Sequence, residues 1–259
     1  MQIYVYNKST VVSNHELNIM VSACNILIKK FCFIWNILPV TITVLTKIQN
    51  VNYLFYIVDN SVLPSSLLAY HTEINGKVIG YIMAKTIINA GGTVLYKDKT
   101  TFTVAASLFH EIAESLIDPT VNIWWQLNNI YLVGAEVCDP VQNNLVLIET
   151  PDLINKKNVD VALSDFIYPS WFDPMATPNS AIVFNYNNTL TKPFSISTGG
   201  SVVLLNTKSN TLQFIFGKKV PMWQKKMKHA SNRIMIRKHH VNKQLVNLTK
   251  PVITEIDDL

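Results

Sequence analysis

The chain has 259 residues, 49% apolar and 15% charged, with 22 Lys and Arg against 17 Asp and Glu for a net charge of +5. A chain of this length can bury a core without disulfides or structural metals, and the apolar share excludes a disordered or low-complexity protein. Only Cys24, Cys32 and Cys138 are present, with no CxxC pair, which argues against a disulfide framework or a cysteine zinc site and points to an intracellular, reducing compartment.

The first ten residues, MQIYVYNKST, lack the basic start and apolar run of a secretory signal, so no signal peptide is expected. A helix is predicted from about His15 to Trp35, capped by Ser13 or Asn14. Its apolar residues Leu17, Met20, Val21, Cys24, Ile28, Phe31 and Ile34 recur at three- and four-residue spacing. The stretch from Ile19 to Ile48 is the most membrane-like. Lys29, Lys30 and Pro39 interrupt it before any uncharged run reaches the ~20 residues of a span, so it reads as a core helix followed by a strand.

Val40 to Ile48 and Asn52 to Asp59 read as strands, and LAYHTEI and KVIGYIMAKTII flank Asn75-Gly76, a strong hairpin signal. His71 falls in an alternating strand and reads as structural. Thr93 to Tyr96 reads as a short strand. TTFTVAASLFHEIAESLIDP reads as a helix closed by Asp118-Pro119. Beyond Pro140 the pattern turns to short strands, including Val202 to Leu205 and Leu212 to Phe216. The expected fold class is α+β: an N-terminal helix and mixed sheet, the helix carrying HEIAE, then an irregular strand-rich part.

On a helical wheel with His110 at 0°, Glu111, Glu114 and Asp118 share its arc of about 100°, with Leu108, Phe109, Ile112, Ala113 and Leu116 opposite. Carboxylates packed this closely raise one another's pKa unless a cation sits among them. The spacing is that of the HExxH zinc motif, whose two His bind the metal and whose Glu is general base, but Glu114 stands at the second His. GAEVCDP places Glu136 and Asp139 three apart, 22 residues after Glu114. In gluzincins the third ligand is a Glu about this far downstream, and a nearby Asp orients a ligand His. Glu136 fits the first role and Asp139 the second. If Val137 and Cys138 continue a helix, the two acids share a face.

Charge is unevenly spread. Residues 101–173 hold ten acids and two bases, whereas residues 218–243 hold nine Lys and Arg, three His and no acid. The basic stretch suggests an anionic partner, either nucleic acid or an acidic protein surface such as a coat protein. In SDFIYPSWFDP, Asp165 and Asp173 bracket Phe166, Tyr168, Trp171 and Phe172. That segment reads either as a cleft wall, with Asp165, Trp171 and Phe172 along it, or as a core-packing loop.

The runs FHEIAESLIDP, Trp124, GAEVCDPVQ, LSDFIYPSWFDP and KPFSISTGG, across about residues 100–200, resemble a family of mostly uncharacterised zincin-like proteins of phages, prophages, large DNA viruses and some bacteria. The resemblance implies a zincin-like fold with His110, Glu111, Glu114 and Glu136 at the site. Two departures stand out: Glu114 replaces the second His, and Gln142 stands where the family pattern has an acid.

The expected organisation is a zincin-like domain over 1–217, in halves of about 1–118 and 119–217, followed by a basic extension over 218–259. Two functions follow as expectations. One is a zinc metallopeptidase-like protein acting on a peptide or protein. It would have one Zn held by His110, Glu114 and Glu136, Glu111 as catalytic base, and Asp139 and Asp118 supporting the ligands. The other is a virion-associated structural protein that keeps the fold and uses its basic tail to bind nucleic acid or coat proteins.

Overall fold

The structure, a computed structural model, describes residues 1–60, 67–179, 182–220 and 252–255. Strand β1 (Gln2–Asn7) precedes helix α1 (Asn14–Ile34), and β2 (Thr41–Leu45), β3 (Tyr53–Val58), β4 (Ala69–Ile74) and β5 (Lys77–Met83) follow. A short α2 (Ala84–Asn89) leads to α3 (Val104–Ile117). Then come β6 (Trp124–Gln126), β7 (Tyr131–Gly134), β8 (Leu145–Asp152), β9 (Lys157–Ser164), β10 (Ser201–Asn206), β11 (Thr211–Phe216) and β12 (Val252–Glu255). The fold class is α+β, as the sequence suggests.

Contacts divide the chain into two units, 1–113 with 145–164, and 114–144 with 165–259. This partition differs from the expected halves meeting at residue 118. The boundary falls inside α3, which runs unbroken through it, and the β8–β9 hairpin returns to the first unit.

The first unit is built on a mixed sheet in the order β2-β1-β3-β5-β4, parallel except for β4, which runs antiparallel to β5. Helix α1 starts at Ser13 with a capping box: the Ser13 hydroxyl accepts from Glu16 N, and the Glu16 carboxylate accepts from Ser13 N. By length and composition α1 would pass for a membrane span, at a mean hydropathy of 1.6, yet 56% of that window is buried within the fold. Leu17, Met20, Cys24, Leu27, Ile28 and Phe31 are its core residues, at the spacing that predicts the helix. The β8–β9 hairpin packs against it, and the His15 imidazole meets the Asp152 carboxylate at 3.2 Å.

Alternation and register give the sheet two distinct faces. On one face Val5, Phe55, Gly80 and His71 lie side by side across β1, β3, β5 and β4. On the other, the next row is Tyr6, Tyr56, Tyr81 and Tyr70, each ring against the next at centroid distances of 6.3, 5.3 and 5.3 Å. Lys8 places its ammonium 4.5 Å from the centre of the Tyr56 ring. Gly80 is needed for space: a Cβ there would come within 2.1 Å of the Phe55 ring.

The second unit holds a sheet in the order β12-β11-β10-β7-β6. Its loops carry the aromatic segment. Trp171 and Phe172 stand in a 3-10 turn, and Trp171 donates from its indole to the Ser195 carbonyl and packs on Phe172 and Phe194.

Some elements differ from expectation. Strand β1, which the sequence reading does not anticipate, lies inside its sheet between β2 and β3, so the element order opens on a strand and not a helix. Lys85 to Ile88 belong to α2, although the run reads as the end of a strand. Thr93 to Tyr96 forms no strand, only a single bridge from Thr93 to Thr103. The hairpin is as predicted: Asn75 and Gly76 take φ of 54° and 77°, the positive pair of a two-residue turn. Of the basic stretch, residues 221–243 lie outside the described residues. Strand β12, further along, pairs in parallel with β11.

Candidate metal centre

Helix α3 carries the site. Thr103 caps it, its hydroxyl accepting from Ala106 N at 2.8 Å and donating to the Ala162 carbonyl at 2.8 Å. Phe109 on its apolar back meets Phe31 of α1 edge-on at 6.5 Å. The polar arc predicted by the wheel forms, but it does not face solvent. Glu111, Glu114 and Asp118 are 2%, 0% and 0% exposed, and His110 is partly buried.

Three buried carboxylates on two turns of helix carry a large desolvation cost unless cations or donors meet them. The sequence from 101 to 155 contains no Lys or Arg to do so. His71 meets one of them. It is fully buried, and its Nδ1 lies 2.9 Å from Glu111 Oε2. Strand alternation explains its orientation. Tyr70 turns to the opposite face with Leu67 and Met83, so His71 turns inward beside Gly80.

Downstream, the Glu136 to Asp139 segment does not continue a helix. Its backbone is irregular until a 3-10 turn over Asp139–Val141. The segment is held by Ile167 N donating to the Val137 carbonyl at 2.8 Å and Ser197 N donating to the Pro140 carbonyl at 2.9 Å. Gly200 permits that approach, since a Cβ there would come within 2.1 Å of the Pro140 oxygen. Gln142 donates from its amide to the Gly199 carbonyl at 2.9 Å, a bond that an acid could make only when protonated. Cys138 N donates to Glu114 Oε1 at 3.4 Å, and the Cys138 thiol is buried.

Two groups of side chains on this scaffold offer donor atoms within 4.8 Å of one another. They are His110, Glu114 and Asp139, and His71, Glu111 and Glu114. Each is one imidazole and two carboxylates, a mixed nitrogen and oxygen set that suits a divalent cation such as zinc, manganese or iron. The protein thus has buried His, Glu and Asp groups able to bind a metal ion.

The expected site residues fall as follows. His110 and Glu114 share a group, joined by Asp139, which was expected behind the ligands. Glu136, expected as a ligand, is buried but belongs to neither group among the described residues. Glu111 groups with His71, which sequence reasoning treated as structural. Asp118 shapes the chain after the helix, its Oδ1 accepting from Asn122 N at 2.7 Å and Ile123 N at 3.0 Å.

The residues expected along a cleft wall lie in the interior. Trp171, Phe172 and Asp165 are 1%, 4% and 0% exposed. Asp165 accepts from Asn185 Nδ2 at 2.6 Å and Phe166 N at 2.8 Å, so it organises the loop. Compared with known proteins, the chain matches no family model, no curated protein and no solved structure.

Proposed function

We propose that the protein is a zincin-like, metal-dependent hydrolase of the metallopeptidase kind. One divalent cation, zinc by donor type, would be held by His110, Glu114 and Asp139. The observation that carries this reading is the buried His110, Glu114 and Asp139 group on a helix that also bears Glu111. The order of elements supports it too: a strand and a long helix, the rest of a mixed sheet with one antiparallel edge strand, a short helix, then the HExxE helix.

Bound there, the cation would supply a Lewis acid that polarises a carbonyl and acidifies water. Glu111 is the carboxylate placed to take a proton from the attacking water, and its bond to His71 fixes the orientation of the carboxylate. Asp139 in place of Glu136 is the ligand choice that the grouping favours. A third carboxylate in the site makes His71 the natural counterweight to the charge on Glu111.

Elemental analysis of the purified protein should find bound zinc. Glu111→Gln should keep that zinc and lower hydrolysis of a quenched-fluorophore peptide library by about 10²–10⁴-fold, the scale of a lost general base. His110→Ala should lose the zinc bound in the first group. Full retention of zinc by His110→Ala would remove the ligand assignment, and undiminished hydrolysis by Glu111→Gln would remove the base.

A further inference from the structure

The same helix carries a feature that one ion does not use. Glu114 belongs to both groups of donors, and the second group, His71, Glu111 and Glu114, matches the first in type and number. Its members are among the most deeply buried polar residues of the chain: His71 0%, Glu111 2% and Glu114 0% exposed. Strand β4 brings the imidazole from 40 residues away in sequence, and the contact with Glu111 is made at Nδ1, a ring nitrogen that can ligate.

From these we infer that the chain has a second cation position, formed by His71, Glu111 and Glu114, with the Glu114 carboxylate shared between two divalent ions. The inference rests on the proposed first ion at His110, Glu114 and Asp139.

A carboxylate has two oxygens, and cations in two-metal hydrolytic sites stand ~3.5–4 Å apart, the reach of one bridging carboxylate. Charge favours the arrangement. With Glu111, Glu114 and Asp139 ionised the donors carry three negative charges; one divalent ion leaves −1 and a second brings the set to +1, either closer to balance than three unmet carboxylates. His71 Nδ1 and Glu111 Oε2 lie 2.9 Å apart, with donor and acceptor set by the imidazole tautomer. A cation held there would take the Nδ1 lone pair of the neutral imidazole, and any proton resting between the two groups would be released to solvent. Glu111 offers one carboxylate oxygen to this group, so a cation there would lower its basicity as a proton acceptor.

Equilibrium dialysis of the metal-free full chain against Zn²⁺ or Mn²⁺, read by elemental analysis, tests this directly. Two equivalents are expected for the wild type and one for His71→Ala. His71→Gln, which fills more of the space and keeps a hydrogen-bonding group toward Glu111, should also bind one and serves if the alanine variant does not fold. His110→Ala should lose the other equivalent. With Mn²⁺, the doubly loaded protein should show a spin-coupled paramagnetic resonance signal that His71→Gln lacks. One equivalent in the wild type, retained in His71→Gln, would overturn the second position and leave the first ion standing. Two equivalents retained in His71→Gln would also overturn it. No bound metal in the wild type would overturn both.

Discussion

Asp165 shows how the chain uses a buried charge away from the candidate centre. Four donors surround it: Asn185 Nδ2, Phe166 N, Asn187 N and Asn144 Nδ2. Burial nevertheless wins over these bonds and raises its pKa from 3.8 to about 6. A carboxyl whose folded pKa is raised binds its proton more tightly in the native state. Its contribution to stability is therefore greatest below pH 4 and declines as pH rises towards 6. Asp165→Asn removes the titration with little change of shape. The wild type should gain stability relative to this variant as pH falls from 7 to 4.5, by on the order of 2 kcal/mol. Thermal melts of the two proteins at matched pH values check this, and a pH-independent difference would refute it. The importance of Asp165 was legible in the sequence only as an acid among aromatic residues. Its donors Asn144, Asn185 and Asn187 lie too far away along the chain to be paired with it by spacing.

Among the elements, those whose partners are local were readable and those fixed by register were not. Helix α1 carries its own start signal in Ser13 and Glu16 and its facing in the apolar stripe, and the β4–β5 hairpin carries its turn in Asn75 and Gly76. Strand β1 has only six residues, with alternating Ile, Val and Tyr. Nothing local says that it lies between β2 and β3 in the interior of a sheet. Helix α2 was hidden by Thr86, Ile87 and Ile88, β-branched residues that extend the strand pattern of β5. The partner of His71 was hidden for the same reason as the place of β1. Alternation turns His71 inward, but its partner Glu111 is set by tertiary packing. The hairpin register that seats His71 beside Gly80 makes a prediction at this scale. Gly80→Val should force the Phe55 ring away, cost about 1–3 kcal/mol and loosen the row that holds His71. Chemical denaturation measures the loss, and an unchanged midpoint would contradict the packing.

At the scale of the whole molecule, the order of the chain does not follow its units. The first unit needs Leu145–Ser164, which returns after the second has begun. That hairpin covers α1, accepts the Thr103 hydroxyl at the Ala162 carbonyl, donates Ala162 N to the Leu95 carbonyl and meets His15 through Asp152. A fragment of residues 1–118 therefore contains α3 entire but lacks a layer of its own core. It should give no cooperative thermal transition, whereas the full chain should. A sharp melt from the fragment would count against the division. The sequence points to a break near Asp118-Pro119 because the helix ends there, and in single chains an element end is a fair sign of a unit boundary. Here the helix is shared, so its end is not the boundary. The HExxE helix, the excess of acid around it and the downstream Asp139 were all visible as composition and spacing. Which acid approaches which His depends on the irregular backbone between Val137 and Val141, held by Ile167, Ser197 and Gly200 from far along the chain.

The row of tyrosines on the outer face of the first sheet has an optical consequence. Tyr6, Tyr56, Tyr81 and Tyr70 are fixed in close succession by the pleat, with Tyr56 and Tyr81 stacked at 19° and Tyr81 and Tyr70 tilted at 32°. Phenol transitions held at such spacing in a twisted sheet couple as excitons. The assembled sheet should therefore carry a near-ultraviolet circular dichroism band that vanishes when its strands separate, a built-in reporter of the frame on which His71 is mounted.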